Sequence, residues 1–137
     1  MRAADTSIVV AAFASWHEHH DAARRVLDSG LRLVEHCALE TYSVLTRLPA
    51  PHRAPGSVVR DFLGARFPDP FLRLRGPAWR TLVLGLAEAG IRGGAIGAIY
   101  DALVAATAAA AGAQLVTCDR RALPIYERYA VRCRLVG

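Results

Sequence analysis

Apolar side chains recur along this chain in two rhythms, and their alternation predicts strands followed by helices several times over. Residues 2–4 read as a short strand ending at Asp5, and residues 7–14, almost wholly apolar, as a short helix. From residue 18 to residue 28 the apolar positions Ala22, Ala23, Val26 and Leu27 fall at helical spacing, and Gly30 closes the segment. Residues 31–35 form a second strand by the same reading, and residues 38–48 a helix stopped by Pro49, which places Glu40 in its first turn. The proline-rich stretch 49–55 is a loop, residues 56–67 are an amphipathic helix, and residues 71–74 are a brief strand. A long helix over 77–89 starts on Pro77 and ends near Gly90. After a glycine-rich loop at 92–99 come an alanine-rich helix over 100–111, a strand over 114–117, a helix over 120–129 disturbed by Pro124, and a closing strand over 131–136. This order predicts an α/β protein with a mainly parallel central sheet between helices.

The length of 137 residues suits one domain with a core that needs no disulfide or structural metal. Cys37, Cys118 and Cys133 are an odd set without CxxC spacing, so reduced thiols are expected. The apolar run near the N-terminus, residues 8–13, is too short for a signal peptide or a membrane span. The uncharged run 102–118 contains Gly112, Gln114 and Thr117, so a buried helix and strand account for it. A cytoplasmic protein without a membrane partner is the expectation. Net charge is +5 and all 17 basic residues are arginine. Arginine binds phosphate oxygens in pairs, which suits a polyanionic partner. The absence of both lysine and asparagine equally fits a GC-rich coding bias, which leaves the positive charge itself unexplained.

Chemistry concentrates in four acids. Asp101 is the only charged side chain in the 26 residues from Gly93 to Cys118. A helix cap would explain it locally, as would a ligand role. Asp5 and Asp119 each follow a strand, where ligands bind in open parallel sheets. Glu40 at a helix start is favoured by the helix dipole with or without chemistry. Four carboxylates converging on one crevice would repel one another unless a cation lay among them, and an all-oxygen set selects Mg²⁺ or Mn²⁺. The run His17-Glu18-His19-His20-Asp21 lacks the spacing of a helical zinc signature, because Asp21 stands where the second histidine belongs, and it reads as a solvent-facing helix start.

Taken in order, Asp5-Thr6-Ser7, Glu40, Gly93-Gly94, the run Tyr100-Asp101-Ala102-Leu103-Val104-Ala105-Ala106-Thr107, and Thr117-Cys118-Asp119-Arg120-Arg121 resemble PIN-domain ribonucleases, most of all the VapC toxins of toxin–antitoxin pairs. The resemblance spans nearly the whole chain and implies a single PIN-like nuclease domain over residues 1–137, folded as a three-layer α/β/α sandwich. It implies a metal site lined by Asp5, Glu40, Asp101 and Asp119, with Asp5 and Asp101 as direct ligands and the hydroxyls of Thr6, Ser7 and Thr117 in support. It further implies Mg²⁺- or Mn²⁺-dependent cleavage of RNA to a 3′-hydroxyl and a 5′-phosphate, a small VapB-like antitoxin as partner, and a homodimer. Arg92, Arg120 and Arg121 are the candidates for holding RNA phosphates. Val58, Val59, Phe62 and Leu63 offer an apolar helix face to the antitoxin or to the protein's own core. One departure stands out: the triplet Ile96-Gly97-Ala98, or an equivalent, is extra between the glycine pair and Asp101. It keeps an alternative alive, a catalytically weak or inactive PIN domain that binds RNA or protein.

Overall fold

The computed structural model describes residues 1–94 and 97–137. Its elements follow the expected alternation: β1 (Arg2–Ala4), α1 (Thr6–Phe13), α2 (His20–Asp28), β2 (Arg32–Leu33), α3 (Glu35–Arg47), α4 (Gly56–Arg66), α5 (Gly76–Gly85), α6 (Ala98–Ala110), β3 (Gln114–Thr117), a 3₁₀ turn (Arg120–Ala122), α7 (Leu123–Arg128) and β4 (Cys133–Leu135). The sheet is parallel throughout, in the order β2-β1-β3-β4. Helices pack on it as a three-layer α/β/α fold, and β1 and β3 lie at its centre. Ala3, Ala4, Leu115 and Val116 are fully buried there, since central parallel strands are covered on both faces.

The order places the crossovers from β1 to β2 and from β3 to β4 on opposite sides of the central strand pair. A crevice therefore opens at the carboxyl ends of β1 and β3, where parallel sheets bind their ligands. Asp5 leaves β1 at that point and Asp119 lies just beyond β3.

Several boundaries differ from the sequence reading, each for a physical reason. The strand expected over 71–74 is reduced to a single parallel bridge between Leu72 and Val34, in which Leu72 N–H donates to Leu33 O and Glu35 N–H to Leu72 O. β2 ends at Leu33 and Val34 is the N-cap of α3, so α3 starts at Glu35, three residues earlier than expected. Glu40 consequently sits in the second turn, and Glu35 is the acid that benefits from the helix dipole. α2 starts at His20, so His17 and His19 precede the helix and belong to a turn. Pro124 occupies the first turn of α7 and starts that helix; the expected single helix is split into a 3₁₀ turn and α7.

Gly97 is the N-cap of α6, at φ 75°. Only glycine adopts that left-handed conformation without strain, and Ala98 opens the helix. The extra triplet thus supplies the cap and first residue of α6; its Ile96, with Ala95, lies outside the described residues. Val59 is fully buried and Phe62 meets Phe13 edge-on at 5.3 Å, whereas Val58 is exposed. The α4 face is therefore mostly the protein's own core.

Candidate active site

β1 is followed immediately by the helix it feeds, and Asp5 is the hinge between them. Its Oδ1 accepts the N–H of Ile8 at 3.3 Å, capping α1. Cap and site are not alternatives here, because Asp5 also lines the groove and is only 3% exposed. Ser7 Oγ donates to Oδ1 at 2.5 Å, and Tyr126 donates its hydroxyl to Oδ2 at 2.9 Å. Ser7 Oγ also accepts from Cys118 N–H at 2.8 Å. Thr117 Oγ1 lies 3.2 Å from Ser7 Oγ, and either hydroxyl can be the donor of that pair. Thr117 Oγ1 in turn accepts the N–H of Asp119 at 2.9 Å. One chain of hydrogen bonds therefore links the ends of β1 and β3 and fixes Asp5 and Asp119 in relation to each other. Thr6, expected to support the same acids, stays outside this chain: its Oγ1 is buried with no well-aligned partner among the described residues, beside the Cys37 thiol.

Asp119 caps the 3₁₀ turn through Arg121 N–H at 2.9 Å and pairs with the Arg121 guanidinium at 3.1 Å. Asp101 lies in the first turn of α6 and caps nothing, because Gly97 holds that position. The fourth acid, Glu40, reaches in from α3, its Oε2 3.0 Å from His36 Nε2, close enough for an ion pair but misaligned for a hydrogen bond. All four acids line one groove of about 790 Å³.

Their proximity is felt in their acidity. Burial pushes the Asp101 carboxyl up to about 6; Arg121 opposes the rise, and the charges of Asp119, Asp5 and Glu40 add to it. Burial also lifts Asp5 above the ordinary carboxylate range, against the hydrogen bonds of Ser7, Thr117, Tyr126 and Ile8. Among the described residues no three His, Cys, Asp or Glu side chains are gathered closely enough to hold an ion unaided. The oxygen-only donor set still fits Mg²⁺, which binds through one or two carboxylates and keeps several waters.

Of the arginines expected to face RNA, Arg121 lines the groove, while Arg92 and Arg120 are exposed and do not. Sequence reading missed Arg47, His36, Tyr100 and Tyr126, which do line it. The signal for two of them was present: His36, Glu40, Ser43 and Arg47 recur at helical spacing along α3 and form one wall. His17 and His19 also reach the groove, contrary to the expectation of a purely solvent-facing cluster.

Comparison with known proteins places the chain in a family. A family model described as the PIN domain matches residues 3–129. The chain belongs to the PIN-domain family. Among curated members, it is 50% identical over 136 residues to ribonuclease VapC40 of Mycobacterium tuberculosis, in strains CDC 1551 and H37Rv, with 99% of both chains covered. It is 40% identical over 139 residues to ribonuclease VapC27 of strain H37Rv, covering 94% of this chain and 92% of the relative. Within the PIN-domain family this is thus a VapC-type protein.

Proposed function

We propose that this PIN-domain protein is the toxin of a toxin–antitoxin pair, an endoribonuclease that hydrolyses RNA phosphodiester bonds with the help of Mg²⁺ or Mn²⁺. The observation that carries the reading is the convergence of Asp5, Glu40, Asp101 and Asp119, from four separate parts of the chain, on one groove. Its full-length likeness to ribonuclease VapC40 supports it.

Asp5 and Asp101 are the residues that would hold the ion: Asp5 is fixed by its three side-chain and backbone donors, and Asp101 faces the groove from α6. Such an ion, when bound, neutralises charge on the phosphate and makes water a better nucleophile at neutral pH. Ser7 and Thr117 hold Asp5 and Asp119 at the strand ends. Glu40, whose side chain is 42% exposed, stands on the α3 wall where it can take the proton of the attacking water. Arg121 and Arg47 are placed to hold backbone phosphates. The water oxygen bonds to phosphorus as the bond to the 3′ oxygen breaks, and the 3′ oxygen takes a proton from solvent, leaving a 3′-hydroxyl and a 5′-phosphate.

A VapB-like antitoxin and a second copy of the chain are the partners this reading implies, in the cytoplasm. Among the described residues no helix is long and apolar enough to cross a membrane.

The test is cleavage of RNA by the purified protein with Mg²⁺, compared with Asp5→Asn and Asp101→Asn. Loss of cleavage in both variants, with unchanged circular dichroism, and loss in the wild type on adding a chelator, are expected. Metal-dependent cleavage retained by both variants would falsify the site. Among the described residues no closed ligand triad is found, and a second reading is a binding domain without turnover. RNA bound but never cut, at any Mg²⁺ or Mn²⁺ concentration, would select it.

A further inference from the structure

Tyr100 is 57% exposed although it lines the acid groove and directly precedes Asp101. Its ring lies flat on the imidazole of His36, with 4.7 Å between centroids and 9° between planes. One face is therefore covered, and the exposed area belongs to the other face and the ring edge. His36 is itself held by its 3.0 Å contact with Glu40.

We propose that the outer face of Tyr100 is a stacking platform for one nucleobase of single-stranded RNA next to the bond that is cut. The proposal rests on the ribonuclease reading and adds to it how the substrate is gripped. Every base has a π-face, and proteins hold single strands by stacking bases on aromatic rings without reading their sequence. A ring already backed by a second ring loses little freedom when a base arrives, so the platform is preorganised. Its location fixes what it holds. Tyr100 and Asp101 line the same groove, so a base stacked on Tyr100 belongs to a nucleotide close to a phosphate held at the acids. Bases within a duplex already use both faces for stacking, so the platform favours unpaired RNA. Among the described residues, the rings of Trp16 and His52 are tilted by 36° and line no part of the groove, and His17 and His19, which do line it, are tilted by 47° and half-buried, so neither pair offers a comparable flat surface.

The test uses a labelled single-stranded RNA of about ten nucleotides, with Ca²⁺ in place of Mg²⁺ and gel controls that the RNA stays intact. Binding is read by fluorescence anisotropy for the wild type, Tyr100→Leu, Tyr100→Phe and Tyr100→Trp, with thermal melts to verify folding. Tyr100→Leu should bind on the order of tenfold more weakly, while Phe and Trp at this position bind as the wild type does. In a series of RNAs that each lack one base, one position should cost the wild type the same factor and cost Tyr100→Leu nothing further. Equal binding by wild type and Tyr100→Leu, or weakening by Tyr100→Phe, would overturn the platform and leave the nuclease reading standing. A wild type that neither binds nor cuts RNA would overturn both.

Discussion

Tyr126 and Asp5 are 121 residues apart in the chain and meet in the core, where the phenol donates to Asp5 Oδ2 over 2.9 Å. Tyr126 is 2% exposed, so this hydrogen bond is shielded from water and ties α7 to the residue that caps α1. It also explains why Tyr126 holds its own proton so firmly: burial and the neighbouring Asp5 charge both raise its pKa.

Tyr126→Phe removes the donor and keeps the ring. Partners that orient a metal-binding carboxylate affect metal affinity by about ten- to a hundredfold. The variant should bind Mg²⁺ at least about tenfold more weakly by calorimetry. Unchanged affinity would remove Asp5 from the ligand set.

Ser7→Ala takes away the acceptor of Cys118 N–H as well as the donor to Asp5. Leaving a half-buried amide unpaired costs about 1–3 kcal/mol. A drop of that size in unfolding free energy, read from the urea midpoint, is expected.

Thr41→Val should go the other way. Thr41 is fully buried on α3, and its Oγ1 has no hydrogen-bond partner among the described residues. Replacing an unsatisfied hydroxyl with a methyl of similar shape removes a desolvation cost, so stability should hold or rise by up to about 1 kcal/mol. A clear fall in melting temperature would reveal a partner for the hydroxyl.

The pH response of the metal-free protein follows from the raised acids. Asp101 titrates near 6 in the fold against an ordinary 3.8, so the folded state binds this proton more tightly than the unfolded chain does. Its stabilising contribution is complete below 3.8 and is lost as pH rises through about 6. Asp5 acts in the same direction. Mg²⁺ competes with these protons, so it should raise the melting temperature more at about pH 7.5 than at about pH 5. An equal rise at both would separate the ion from these carboxylates.

Arg47 and Arg92 separate the groove from the general surface. Each phosphate contact to a single strand contributes about 0.7 to the slope of log K against log salt. Arg47→Ala should lower that slope by about this amount, and Arg92→Ala, outside the groove, should leave it unchanged.

Local rules made much of the fold readable. Asp5 and Asp119 precede helical turns whose N–H groups they accept, and β3 has the boundaries its apolar run predicts. Asp101 could be singled out because its surroundings carry no other charge. Glu40 and the β2 boundary were harder. Val34, the residue before α3, bridges to Leu72 far along the chain, and no local signal marks that contact.

By itself, the sequence determined the alternation of strand and helix, the acids at strand ends and the resemblance that links them. These depend on periodicity, capping and residue type, all of which act over a few positions. Only the tertiary structure decided that Tyr126 grips Asp5, that Arg47 and His36 share a wall with Glu40, and that Arg92 stays outside. Those relations depend on strand order and on how helices pack across the sheet. Packing energy is spread over many distant contacts, so no short stretch of chain carries it.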